Sequence, residues 1–188
     1  ALVGFVASPA GHRLPRVASL TPKDFAMATL PPNAELLAPR DRLNYFDAQS
    51  RSLPQDMTAL QAWNALMARP LPLMGLAFKI RDKVSSLFGV KQIGGFSGDR
   101  KDTVQTGDHL DFFLVEDARP DRLLLTERDR HLDVLTCVAV HNRRLWIVSS
   151  VVTHNLFGRA YMLPVAVAHR IIVRAMLNRM PAPDKFVT

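Results

Sequence analysis

Residues 132–155 read LDVLTCVAVHNRRLWIVSSVVTHN, two apolar segments rich in β-branched residues with a short polar stretch between them. Segments of this composition are typical of β-strands, and so short a separator predicts a hairpin between antiparallel neighbours. Two similar segments, HLDFFLVEDA and RLLLTER, come before them and are followed by the equally short RPD and DRH. The second half of the chain is therefore predicted to form an antiparallel sheet of consecutive strands.

Helical patterns surround these strands. A first strand is expected over residues 42–50, followed by helices over 57–69, with Asp56 as its N-cap, and over 73–88. The broad apolar arc of residues 164–180 predicts one long C-terminal helix. Strands that follow one another, with helices before and after, indicate an α+β fold in which a curved antiparallel sheet wraps around the C-terminal helix.

The N-terminal segment differs in composition from the rest. Residues 1–40 contain six of the 13 prolines, which predicts an arm that packs on a single domain of residues 41–188. Unbroken apolar runs are all shorter than the ~20 residues that span a bilayer, so no transmembrane segment is expected. The single cysteine, Cys137, lies within LDVLTCVAV and is predicted to be a buried, inert thiol. Cytoplasm is the default location on this evidence.

A net charge of +7 would attract nucleic acid, anionic lipid or an anionic ligand. The Lys and Arg residues are scattered, however, and no strip of aromatic and basic residues like that of an RNA-binding sheet is visible. Arg170 and Arg174 are expected on a solvated helix face, although they could instead pair with an anionic head group or an acidic partner. We therefore expect no nucleic-acid partner.

Several blocks together resemble an uncharacterised bacterial family of unknown function. They are FDAQS, FKIRDKVSSLFGV, DRHLDVLTCV and THNLFGRAYMLPVAVAHRIIVRAML, in the same order over roughly residues 40 to 180. Members of that family often have Pro-Phe-His where this chain has Val167, Ala168 and His169, and the smaller Ala168 would leave extra space. The order of the blocks, rather than any single motif, carries the resemblance.

The resemblance implies a fold and a partner. In element order the family is similar to the helix-grip superfamily of START, polyketide cyclase and SRPBCC proteins, which hold an apolar cavity between the sheet and the C-terminal helix. Some members are fused to an NAD(P)-binding, epimerase-like domain, which implies a possible association with an NAD(P)-binding oxidoreductase. This chain has no Gly-x-Gly-x-x-Gly after a strand, and no cofactor of its own is predicted.

His169, within the apolar arc, is the first candidate for the site. A neutral imidazole there could bond a ligand carbonyl or act as an acid or base, and the alternative is a core histidine bonded to a backbone carbonyl or a carboxylate. Tyr161 could present its hydroxyl to a ligand or cap a backbone group. The other side chains expected to point into a ligand pocket are Asp111, Phe113, Trp146 and Met176.

Metal binding is the weaker reading of the remaining polar residues. Glu127, Asp129, His131 and Asp133 lie in TERDRHLDV, where a hairpin turn would spread their side chains. The other candidate ligands lie near the predicted strand ends at spacings unlike any standard metal site: His109, His141 and His154. No metal site is predicted.

Three functions follow from these expectations. The first is a binding module for a small apolar molecule such as a lipid, isoprenoid, polyketide-like or aromatic metabolite. The second is an enzyme of the cyclase or hydratase type, which needs a polar pair in the cavity, and His169 with Asp111 or Glu127 is the pair available. The third is a structural or interaction domain with a filled core. The oligomeric state is left open.

Overall fold

The computed structural model describes residues 30–68 and 97–181. The helix predicted over 73–88 and most of the predicted N-terminal arm lie outside the described residues. Within them, six strands form one antiparallel sheet in the order β1-β6-β5-β4-β3-β2. The strands are β1 (Tyr45–Ser52), β2 (His109–Leu110), β3 (Phe113–Arg119), β4 (Arg122–Arg128), β5 (Leu132–His141) and β6 (Arg144–Thr153). The predicted α+β class and antiparallel order are confirmed.

Tight turns hold the strands in register. β5 and β6 pair from Leu132 opposite Thr153 to His141 opposite Arg144, which leaves a two-residue turn. Both turn residues, Asn142 and Arg143, have positive φ angles of 50° and 54°. This is the turn geometry whose twist matches two antiparallel strands, so the NRR separator does form the predicted hairpin.

The prediction of one continuous strand over HLDFFLVEDA is wrong. The chain turns at Asp111, which has a φ of 55°, and Leu110 pairs with Phe113 across the turn. Aspartate tolerates this left-handed conformation better than most residues, and its side chain accepts a hydrogen bond from the Ser97 amide at 2.8 Å. The alternation read from the sequence therefore breaks between β2 and β3.

Helix α1 (Ala59–Met67) begins two residues later than the apolar pattern suggests. Thr58, not Asp56, is its N-cap: the Thr58 hydroxyl accepts from the Gln61 amide, and the Gln61 side chain accepts from the Thr58 amide. This reciprocal pair is a capping box. The buried face of α1, which includes Trp63 and Leu66, packs in the same core cluster as residues of β3, β4, β5 and β6.

Helix α2 (Leu156–Arg179) begins well before Pro164, where the sequence had suggested its start. Asn155 caps it by accepting from the Gly158 amide at 2.9 Å. A side chain on Gly158 would collide with the backbone carbonyl of His131, so the close approach of these two segments requires glycine at this position. Pro164 lies inside the helix and leaves one carbonyl without its usual amide partner.

The two faces of the sheet are covered differently. Helices α1 and α2 lie on one face, which we call the helix face. Residues 30–37 lie across the other, which we call the closed face, where Leu30, Leu36 and Leu37 pack on Trp146 and its neighbours. Cys137 is fully buried on the closed face, and burial chiefly raises the pKa of its thiol to about 11, in keeping with an inert role.

By length and composition, α2 could cross a membrane. Its unbroken apolar runs are too short to span a bilayer, but its mean hydropathy of 1.4 is high in spite of its arginines. One such helix is weak evidence for a span, because the core helix of a soluble protein passes the same test. The molecule as described is a sheet with helices packed on it, and α2 contacts β1, β6 and α1.

Candidate ligand-binding site

A cavity of about 300 Å³ lies between the helix face of the sheet and α2. Its walls are mostly apolar and come from both described helices and from every strand of the sheet except β2. Apolar members of the wall include Trp63, Leu132, Val134, Val151, Ile172 and Met176. A concave, mostly apolar space with a few polar groups is the usual form of a small-molecule site.

His169 supplies the polar centre of this wall. Its Nδ1 lies 3.3 Å from the Tyr45 hydroxyl, and its Nε2 lies 3.4 Å from the Ser149 hydroxyl. The Tyr45 hydroxyl also donates to the backbone carbonyl of Ala166 at 3.3 Å. We call His169, Tyr45 and Ser149 the polar cluster. One arrangement satisfies all of it: Tyr45 donates to Ala166, His169 donates from Nδ1 to Tyr45, and Ser149 donates to Nε2.

Burial keeps this cluster uncharged near neutral pH. Burial is the main cause that lowers the pKa of His169, and it outweighs the opposing attraction of Asp47. Burial also raises the pKa of Tyr45 to about 12, with the Asp47 carboxylate adding to the effect. The cluster thus presents a neutral imidazole and neutral hydroxyls to the cavity, which suits hydrogen bonding to an uncharged polar group.

Asp47 lies behind the cluster and ties α2 to β1. Its carboxylate accepts from the side-chain amide of Gln49 at 2.6 Å and from the Arg170 guanidinium at 3.2 Å. Gln49 also donates to the backbone carbonyl of Arg170 at 3.0 Å. A buried carboxylate needs such partners, and here they fix the helix beside the strand that carries Tyr45.

The cavity opens beside Ala168. This residue lines the cavity and is itself exposed, so it marks an opening to solvent. Glu127 and Asp129 also line the cavity. Asp129 has a structural duty as well, because its carboxylate accepts from the amides of His131 and Leu132 and shapes the turn between β4 and β5.

The structure separates the residues predicted for the pocket into two groups. Phe113, Tyr161 and Met176 lie in the cavity wall with His169. Asp111 lies in the turn between β2 and β3 and does not line the cavity.

The inward position predicted for Trp146 is wrong. It packs on the closed face, because alternation along β6 directs Ile147, Ser149 and Val151 toward the cavity and the residues between them away from it.

The scattered histidines and carboxylates do not converge. Among the described residues, no group of three or more His, Cys, Asp or Glu side chains is arranged to hold a metal ion. His154 instead pairs with Asp133 at 3.1 Å, and His131 contacts the capping residue Asn155. His109 and His141 are exposed.

Sequence reasoning missed Tyr45 and Ser149, two of the three members of the polar cluster. Both left a weak signal in the sequence. Tyr45, Asp47 and Gln49 alternate with the apolar Phe46 and Ala48, and Ser149 interrupts an apolar strand. Their meeting depends on the pairing of β1 with β6, in which Tyr45 lies opposite Val151 and Asp47 opposite Ser149. Since about 90 residues of chain separate these strands, no local pattern predicts that register.

The fold and the cavity define an α+β protein with a pocket between an antiparallel sheet and its C-terminal helix. Residues 40–176 match the model of a family described as a protein of unknown function (DUF2867), and the chain belongs to that family. No curated protein and no solved structure matches the chain. The family match itself gives no link to the helix-grip superfamily or to NAD(P)-binding domains.

Proposed function

We propose that this protein binds a small, mostly apolar molecule in the cavity between the sheet and α2. The observation that carries the proposal is a mostly apolar cavity with the polar cluster in its wall, in addition to Glu127 and Asp129. Few polar groups in an apolar pocket fix the orientation of a ligand, whereas the apolar wall supplies most of the affinity.

The size of the cavity favours a compact ligand. Its volume of about 300 Å³ is at the lower end for small-molecule sites. A short acyl chain, an isoprenoid unit or a single aromatic system is a better match than a whole membrane lipid. The packing of α2 on one face of the antiparallel sheet, with a cavity between them, supports the likeness to the helix-grip superfamily. We therefore also propose that the protein has a helix-grip fold.

The polar cluster would recognise a carbonyl or hydroxyl group. Its internal contacts of 3.3 and 3.4 Å are long, so they are weak and can be exchanged for shorter bonds to a ligand. A neutral imidazole can donate through one nitrogen and accept through the other. A carboxylate would be less favoured than an uncharged group, because a desolvated charge needs a charged partner.

Equilibrium titration with a compact fluorescent alcohol, naphthalenemethanol, tests the proposal. Ala168→Trp would place a large side chain at the opening of the cavity and should weaken binding by about tenfold or more. Ala160→Trp is the matched control, because Ala160 is exposed on the same helix and does not line the cavity. Equal affinity in both variants, or no saturable binding by the parent protein, would overturn the proposal.

A second function is favoured by the same cluster. A neutral histidine bonded to a tyrosine and a serine can relay a proton, so an enzyme of the cyclase or hydratase type is the alternative. Of the two predicted pairs, His169 with Asp111 is not available, because Asp111 lies away from the cavity, whereas Glu127 lines the cavity with His169. His169→Gln separates the two functions. An enzyme would lose turnover of a bound compound and keep affinity for it, whereas a binding protein would show no turnover in either the parent or the variant.

A further inference from the structure

The outer side of α2 exposes large apolar residues. Leu163, Val167 and Ile171 follow one another at four-residue spacing, and their exposed fractions are 73%, 61% and 63%. Residues four apart lie on one side of a helix, so these three form a continuous stripe, which we call the outer face. Leu156, at 80% exposure, lies in the first turn of the same helix.

Exposure of this helix is unusual for its composition. It is apolar enough to pass as a membrane span, yet only 22% of its apolar 18-residue stretch is buried. A core helix of the same hydropathy would be mostly buried. Scattered apolar residues on a surface need no explanation, but a contiguous stripe indicates an interaction site.

The charge of α2 indicates what kind of surface it meets. Its 24 residues include four arginines and neither Asp nor Glu. Arg159 and Arg174 are exposed, and Arg174 lies one turn beyond Ile171. An apolar stripe accompanied only by positive charge complements a surface that is apolar below and anionic above, and an anionic lipid bilayer has this layering.

We propose that the outer face of α2 docks the protein on an anionic membrane surface, with α2 lying in the interface. The opposite side of α2 holds Val173 and Met176 buried against the rest of the protein, so the helix would lie on the bilayer and not cross it. Ala168, at the cavity opening, follows Val167 in the helix and is likewise exposed. Docking does not depend on the proposed ligand, although it would bring the opening close to the lipid.

A fluorophore on the outer face tests docking directly. Val167→Cys offers one accessible thiol, because Cys137 is buried and burial raises its thiol pKa to about 11. An environment-sensitive dye attached there should shift to the blue when phosphatidylcholine vesicles containing phosphatidylserine are added. Pure phosphatidylcholine vesicles should give a smaller shift, and added salt should reduce the shift with anionic vesicles.

Vesicle cosedimentation with unlabelled protein supplies the matched variants. The triple variant Leu163→Ser, Val167→Ser and Ile171→Ser should lower the bound fraction by about tenfold or more, because it removes most of the apolar stripe. Arg174→Glu should lower it by a smaller factor of roughly five. Leu114→Ser is the control, since Leu114 is 37% exposed on β3, outside α2, and should bind as the parent does.

Other coverings of the outer face give distinct results that would overturn the proposal. A blue-shifted dye without vesicles, at every protein concentration, would show that another part of the chain covers the face. A shift that grows with protein concentration, and a dimer in sedimentation equilibrium that the triple variant abolishes, would show a second copy there. Vesicle binding that the triple variant does not change would place any membrane contact elsewhere.

Discussion

The two faces of the sheet are built from the same strands but have different roles. Ser149 and Ser150 are neighbours in β6, and alternation sends them to opposite faces. Ser150 is fully buried on the closed face, where its hydroxyl accepts from the Leu37 amide at 3.0 Å. Ser149 faces the cavity, where its hydroxyl lies beside His169.

The contrast separates polar groups that hold the fold together from polar groups that remain available to a ligand. On the closed face, residues 30–37 lie across the strands, and Arg122 is paired with Asp117 at 2.7 Å and Glu35 at 2.8 Å. On the helix face, the polar cluster borders empty space. Substitutions on the closed face should therefore change stability, and those at the cavity should change binding more than stability.

The largest effect is expected where α2 is held over the cavity. Gly158→Ala would force the new methyl group against the His131 carbonyl and should lower the free energy of unfolding by about 3 kcal/mol, despite the roughly 1 kcal/mol by which alanine favours a helix. Urea denaturation measures the change. Ala160→Gly, at an exposed position of the same helix, is the control and should cost about 1 kcal/mol. A Gly158→Ala protein more stable than its parent would contradict the packing of α2 described above.

A valine pair in β6 compares the faces directly. Val148 is fully buried on the closed face, and Val151 lines the cavity. Val148→Ala should cost about 2 kcal/mol, because it opens new empty space, whereas Val151→Ala should cost about 1 kcal/mol, because its side chain already borders a space. Thermal or urea unfolding of the two variants checks the order. Equal losses would mean that the two faces are packed alike.

The two neighbouring serines of β6 differ in how much their hydrogen bonds stabilise the fold. Ser150→Ala removes the acceptor of the Leu37 amide and should cost about 1 kcal/mol of stability. Ser149→Ala should cost roughly 0.5 kcal/mol or less, since its contact with His169 is long, and should instead weaken binding of the fluorescent alcohol. If Ser149→Ala destabilised the protein more than Ser150→Ala and left binding unchanged, the cavity serine would be structural.

The smallest effect is a pH dependence that comes from His169. Burial lowers its pKa in the folded protein, so below 6.5 the unfolded chain takes up a proton that the folded protein does not. Stability should therefore fall as pH drops through 6.5, and the fall should be shallower in His169→Gln. The charged or titratable groups that face the ring are Tyr45, Asp47 and Arg170. Identical slopes for parent and variant, measured by urea denaturation across that range, would show that His169 is not buried as described.

The elements that depend on local pattern were predictable from the sequence. Apolar, β-branched segments and short separators predicted the antiparallel hairpins from β3 to β6. The apolar arc predicted the part of α2 from Pro164 onward and the place of His169 in it. Errors arose where one residue changed the geometry. Asp111 turns the chain within an apparently continuous strand, and Pro164 suggested a boundary inside a helix that continues through it.

The candidate site was only partly predictable. His169 and Met176 follow from spacing on one helix, whereas Tyr161 precedes the predicted start of that helix and lies within α2 in the structure. Tyr45 joins them through pairing of the first strand with the last, and that register is set by contacts distant in sequence. The direction of Trp146 depends on the same register and on coverage by residues 30–37, so its size alone gave no indication of its face.

Native mass spectrometry of the purified protein, followed by organic extraction and mass analysis of the released material, is the decisive test of whether the cavity binds a small molecule. We expect a bound small apolar compound, or one that binds on incubation with lipid and metabolite extracts, in the parent and Ala160→Trp proteins but not in Ala168→Trp. A mass equal to that of the bare chain before and after such incubation would contradict it, and His169 would then be a core residue beside an empty space.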